Sequence, residues 1–171
     1  TSADRPFHAI KANDHEEVIE LNLIGGVIVP CQIFGRLMVS NPEGASIITV
    51  SSMAATLPLT RVASYGMAKA AVENYTKWLA VHLAQEYSPK LRVNAVAPGF
   101  FRTEQNRFLL EDRDGTLSPR GKRILDHTPM GEFANPEDLV GAVVWLASRA
   151  SRFVTGIVVP VDGGFSAYSG V

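Results

Sequence analysis

The run "SYGMAKAA" at 64–71 holds a tyrosine and a lysine four residues apart, Tyr65 and Lys69. On a helix that spacing puts both side chains on one face, one turn apart. Such a pair is either one turn of an ordinary amphipathic helix or a proton-transfer device. A free phenol titrates at about pH 10, too high for a base at neutral pH. An ammonium one turn away favours the phenolate. A serine hydroxyl on the same substrate oxygen would complete the set, and Ser52 stands thirteen residues before Tyr65. Ser52, Tyr65 and Lys69 together suit removal of a proton from an alcohol while hydride leaves its carbon. In reverse they suit protonation of a ketone oxygen. Ser64, Gly66 and Ala68 are small, which would let a cofactor approach the helix closely.

These residues need elements to position them. Residues 1–12 read as a loop. A helix is expected over about 13–39, capped by Asn13 or Asp14, with Glu16 and Glu17 at the positive end of its dipole. "NPEG" at 41–44 reads as a turn and "ASIITVSS" at 45–52 as a strand buried on both faces. A loop to about 61 leads into a second helix over 62–87, with Pro89 past its end. "LRVNAVAPG" at 91–99 is a second buried strand. Residues 100–130 are polar and suit two short helices. A helix over 135–148 has Asn135 as its cap and Pro136 at its first position, and "TGIVVPVDGG" at 155–164 is a third strand.

Strands alternating with amphipathic helices indicate a parallel α/β sheet with right-handed crossovers. In such sheets ligands sit at the carboxyl ends of the strands. Those ends carry Ser51 and Ser52, Pro98 and Gly99, and Asp162 to Gly164. Three strands make a small sheet, and its first edge needs cover.

Composition narrows the function classes. The chain has 171 residues, 46% hydrophobic and 19% charged, with net charge −1. That suits one soluble globular domain and lacks the basic surplus of a nucleic-acid binder. The apolar stretch "LNLIGGVIVPCQIFG" at 21–35 falls short of the roughly 20 residues of a membrane span. It is expected as buried core, and no membrane partner is expected. A single cysteine, Cys31, allows no intrachain disulfide and fits a cytoplasmic setting. His8, His15, His82 and His127 show no paired ligand spacing, so no metal is expected. Gly25 and Gly26 suit close helix packing. Asn22, mid-helix among apolar residues, is unfavourable by propensity and therefore a candidate for a purpose.

Several of these pieces occur in one order. "NLIGG" with Asn22, "ITVSS" with Ser52, "YGMAK" with Tyr65 and Lys69, "RVNAVAPGFFRT" and "VVPVDGG" together resemble the short-chain dehydrogenase/reductase family. The thirty residues from Asn22 to Ser52 also match it. The resemblance implies an NAD(P)-dependent oxidoreductase that interconverts a secondary alcohol and a ketone. It implies Tyr65 as acid/base, Lys69 as its charge partner and ribose ligand, and Ser52 as the group that orients the substrate oxygen. Asn22 would help hold a water in a proton relay. Pro98, Gly99, Phe101 and Thr103 would meet the cofactor, NAD or NADP, beside Tyr65 and Lys69. Residues 104–130 would form a mobile substrate lid.

No G-x-G-x-x-G occurs in the chain, nor an early strand–glycine–helix unit. In the family those parts precede the point where this sequence starts. The expected fold is therefore the carboxyl-terminal half of a Rossmann-like doubly wound parallel sheet, one domain over 1–171, without the amino-terminal dinucleotide-binding half. A second reading is a non-catalytic fragment serving only as an association surface. The residue that separates NAD from NADP is not in the sequence.

The stretches "FLLEDRDGTLSPRGKRILDHTPMGEF", "NPEDLVGAVVWLAS" and "PVDGGFSAYSGV" are similar to the sugar-acid branch of that family. This implies a small-molecule substrate, D-fructuronate reduced to D-mannonate with NADH; gluconate or a keto-gluconate is the alternative. Arg102 and Arg107 suit the carboxylate, since a guanidinium fork matches one. Asn106, His127 and Tyr168 suit the hydroxyls. In the family the helices equivalent to 13–39 and 62–87 pair across a two-fold axis, so a homo-oligomer, dimer or tetramer, is expected.

Overall fold

Leu91 to Ala97 are buried without a break, as the middle strand of a sheet covered on both faces requires. The computed structural model describes residues 6–104 and 106–171. Residues 1–5 of the expected first loop, and Gln105 in the lid, lie outside the described residues. The three strands are β1 (Ala45–Val50), β2 (Leu91–Pro98) and β3 (Val158–Val161), in spatial order β1-β2-β3. Both pairings are parallel, with Ala45 opposite Leu91 and Ala95 opposite Val158.

Period-2 alternation distributes the helices. Ala45, Ile47, Leu91 and Val93 pack with Leu79, Ala80 and Leu83 of the long helix α3 (Ala63–Glu86). Thr49, on the same face, shares a 2.7 Å hydrogen bond with Thr76 of α3. Ser46, Arg92 and Asn94 point the other way. Ser46 Oγ donates to the Leu146 carbonyl (2.8 Å), and the Arg92 guanidinium donates to Ser151 Oγ (3.0 Å) and the Ser148 carbonyl (3.2 Å). The doubly wound arrangement is therefore present.

The expected helix over 13–39 is three segments in one rod. It runs as α1 (Ala12–Ile19), a π-helix (Glu20–Ile28) and α2 (Val29–Met38). Lys11, not Asn13 or Asp14, is the N-cap; the Asp14 carboxylate reaches back to the Lys11 N–H (3.1 Å). Gly25 and Gly26 are exposed, so no close helix packing covers them among the described residues. A Cβ on Gly26 would lie 2.6 Å from the Leu21 carbonyl oxygen, so the wide turn itself requires this glycine.

The expectation that residues 21–35 form buried core is also corrected. The rod Ala12–Met38 spans 27 residues and is long and apolar enough to cross a membrane by length and composition. Leu21, Ile33, Phe34 and Leu37 are exposed. The rod nonetheless lies along α3: Cys31 and Met38 pack with the Leu79–Leu83 cluster, and His15 Nδ1 lies 2.7 Å from Ser64 Oγ.

The lid region holds two short helices, α4 (Arg107–Leu110) and α5 (Pro119–Asp126). Ser118 caps α5 by accepting from the Gly121 N–H (2.9 Å), and the Gly121 backbone presses on the Leu110 carbonyl. The helix expected at 135–148 is a 3₁₀ turn (Pro136–Leu139) continued by α6 (Val140–Ala147). Asn135 is its N-cap, but the side chain that closes the cap is Asp138, which accepts from the Asn135 N–H (2.8 Å).

Candidate active site

Val50 ends β1, and the next two residues are both serines with different partners. Ser51 Oγ donates to the buried Glu73 carboxylate (2.8 Å), which fixes it as a structural residue. Ser52 is in extended backbone; its oxygen accepts from the Ala54 N–H (3.2 Å). Its hydroxyl hydrogen has no acceptor among the described residues, so it is free to donate to a substrate oxygen.

The turn after Ser52 meets the start of α3. A Cβ on Gly66 would lie 2.9 Å from the Ala54 carbonyl oxygen, so glycine lets the residue beside Tyr65 seat against the Ser52 loop. Ser64 is buried on His15, and Ala68 is buried in the core. The small residues around Tyr65 are thus accounted for by contacts with the protein rather than by a cofactor's approach. Sequence reasoning gave His15 no role. It ties α1 to the residue before Tyr65, and only the spatial pairing discloses this.

Lys69 Nζ donates to the Val50 carbonyl (2.8 Å) and lies 5.5 Å from the centre of the Tyr65 ring. One turn of helix and one strand end therefore hold the ammonium against the phenol. Burial lowers the Lys69 pKa from the ordinary lysine value. An ammonium has three N–H donors, and one is used on Val50. Two remain for ligands such as a ribose diol, so the residues present fit the ribose end of a nicotinamide cofactor. Asn22 lines the same groove of about 440 Å³ as Lys69. Its Nδ2 donates back to the Val18 carbonyl of α1 (3.0 Å).

The other expected residues fall into two groups. Pro98 pairs with Val161 at the end of β2, and the Gly99 N–H donates to the Val161 carbonyl (2.9 Å). A Cβ on Gly99 would lie 2.7 Å from Asp162, so the close approach of the two strand ends accounts for that glycine. Phe101 is buried and bridged to Ala134; Thr103 is half-buried, and its hydroxyl makes no hydrogen bond among the described residues. Arg102 and Arg107 both reach Glu111, at 3.2 and 2.8 Å. Asn106 braces its own loop, donating one amide N–H to the Phe101 carbonyl (2.6 Å) and accepting from the Thr103 N–H (3.0 Å). Its second amide N–H has no acceptor among the described residues. His127 and Tyr168 pack together, ring centres 5.2 Å apart.

Comparisons with known proteins bear on the family and the fold. The family model described as enoyl-(acyl carrier protein) reductase, within the short-chain dehydrogenases, matches residues 1–166. The chain belongs to the short-chain dehydrogenase/reductase family. An uncharacterized oxidoreductase, UxuB, of Bacillus subtilis is 50% identical over 147 residues, 85% of this chain and 51% of that protein. A crystal structure from Haemophilus influenzae, provisionally assigned as a D-mannonate oxidoreductase with bound NAD, is 43% identical with a TM-score of 0.88, over 98% of this chain and 58% of that one. A gluconate 5-dehydrogenase of Burkholderia cenocepacia, solved with NADP and tartrate, is 32% identical with a TM-score of 0.83, over 95% of this chain and 60% of that one. The chain spans about half the length of the curated relatives it matches. Its parallel sheet with helices on both faces is the corresponding part of the Rossmann-type fold of those structures.

Proposed function

We propose that this family member is the catalytic and substrate-binding half of an enzyme that reduces D-fructuronate to D-mannonate, and the reverse. The observation that carries the chemistry is the placement of Ser52, Tyr65 and Lys69. Ser52 has a free hydroxyl hydrogen, Lys69 is fixed on the Val50 carbonyl, and Tyr65 stands one turn from Lys69. A bound nicotinamide supplies or accepts the hydride. In the reductive direction Ser52 donates a hydrogen bond to the ketone oxygen, and Tyr65 gives that oxygen its proton. The Lys69 ammonium stabilises the phenolate that remains. Asn22, in the groove beside Lys69, holds water through which the proton is replaced. Thr103, with Pro98, Gly99 and Phe101, would hold the nicotinamide side of the cofactor.

The choice of sugar acid rests on the lid and tail stretches, and on relatives from two sugar-acid assignments. The resemblance to the Haemophilus protein is the greater of the two, 43% against 32% identity, and favours D-mannonate over gluconate. Initial rates of the full chain with NADH and NADPH should be compared for D-fructuronate, 5-keto-D-gluconate and D-fructose. D-fructuronate is expected to give the highest kcat/KM. A higher value for D-fructose would overturn the sugar-acid reading; a higher value for 5-keto-D-gluconate would move it to the gluconate branch.

A further inference from the structure

Beyond the Tyr65 site, one cavity sets two arginines beside apolar walls. It has a volume of about 420 Å³, in the size range of small-molecule sites. Each strand contributes to it through the segment that follows: Thr60 after β1, Phe100 after β2 and Phe165 after β3. It therefore stands at the carboxyl end of the sheet, where ligands of such folds sit. It is also close to Ser52. Met53, the next residue, packs in one cluster with Ile124 and Phe165, which both line the cavity.

Arg120 and Arg123 line it from α5, three residues apart and so on one helix face. Neither has an ion pair among the described residues, and no carboxylate lines the cavity. Arg102 and Arg107, by contrast, share Glu111. The Arg120 Nε is buried with no hydrogen-bond partner. A buried N–H left unmade is costly, so this donor calls for an acceptor that the protein itself does not provide. His127, clamped against Phe165 (ring centres 4.7 Å), and the Thr60 hydroxyl add polar groups suited to hydroxyls.

We infer that this cavity takes the carboxylate end of a hydroxy acid, with Arg120 as the specificity-determining residue and Arg123 as the second cation. The inference rests on the sugar-acid reading above for the identity of the substrate, but not for the presence of the anion site. Calorimetric titration of the full chain with tartrate, a hydroxy dicarboxylate, tests the site without turnover. Arg120→Gln is expected to weaken tartrate binding at least about tenfold, equivalent to about 1.4 kcal/mol. Arg120→Lys should restore part of it. Arg123→Gln, at an exposed position that does not threaten folding, should weaken it several-fold. In kinetics, Arg120→Gln should raise KM for D-fructuronate by a similar factor, with a smaller change in kcat. No tartrate binding by the wild type, or equal binding by wild type and both glutamine variants, would overturn the assignment. Tartrate binding that is lost in Arg120→Gln, with no reduction of D-fructuronate by the wild type, would uphold the anion site and sink the substrate reading. Reduction of D-fructuronate with a KM unmoved by Arg120→Gln would do the opposite.

Discussion

Ser51 and Ser52 are adjacent and chemically identical, and the structure gives them different work. The Ser51 hydroxyl is committed to Glu73, a buried carboxylate, whereas the Ser52 hydroxyl hydrogen has no acceptor among the described residues. Ser51→Ala should therefore lower stability by about 1–3 kcal/mol, because Glu73 loses a buried donor. Ser52→Ala should leave the melting temperature nearly unchanged and cut kcat of the full chain. Thermal melts and initial rates on both variants check this; a stability loss confined to Ser52→Ala would reverse the assignment. The sequence showed two serines at a strand end and a tyrosine–lysine pair downstream, and motif spacing picked out Ser52. It did not disclose Glu73 as the partner of Ser51, since that contact joins a strand end to the middle of α3. Arg120 was equally silent, because what distinguishes it from the other described basic side chains is a buried donor without a partner.

Among the elements, the rod Ala12–Met38 shows both the reach of sequence patterns and their limit. Its extent follows from the apolar run and its acidic start. Its π-helical interior does not, because over nine residues a pattern of 3.6 per turn is hard to tell from a wider one. The signal present was Gly25–Gly26, and the close approach of Gly26 to the Leu21 carbonyl explains it. Gly26→Ala should force this turn to rearrange, at about 1–3 kcal/mol. It should also move Asn22 relative to Lys69. Gly25→Ala, whose Cβ would meet the Glu20 carbonyl at 3.3 Å, should cost less. Chemical denaturation of the two variants gives the order, and equal stability of both would contradict the π-helix account. The third strand was expected to start at 155 and begins at Val158. Side chains share the pairing with the backbone there: the Val93 N–H donates to Thr155 Oγ1 (3.0 Å) and the Ile157 N–H to Asn94 Oδ1 (3.2 Å), beside the backbone bond from the Gly156 N–H to the Val93 carbonyl (2.7 Å). At its other end the Asp162 carboxylate accepts from the Gly164 and Ser166 N–H groups, closing the turn that the glycine pair announced.

At the scale of the whole molecule the chain exposes 10907 Å² of accessible surface. A self-contained monomer of 18.5 kDa exposes about 8,200 Å². The excess is apolar in two places. The outer edge of β1 has no strand beside it among the described residues, and Val50 there is 52% exposed. The rod and α3 together present Phe34 (57%), Leu37 (72%) and Trp78 (54%) to solvent. Patches of that kind mark association surfaces. The helix pair is the face expected to join copies of the chain, so light scattering of the full chain at micromolar concentration should give a dimer or tetramer. A monomer would count against that assembly.

Tyr65 is the group proposed to exchange a proton with the substrate oxygen. The most direct measurement is single-turnover oxidation of NADH by the full chain with D-fructuronate, for wild type and Tyr65→Phe, alongside their circular dichroism. Phenylalanine keeps the ring and removes only the hydroxyl. Turnover should fall by about 10²–10⁴-fold, the range for loss of a general acid, with the spectra superimposable. Turnover of Tyr65→Phe within a few-fold of wild type would contradict the account.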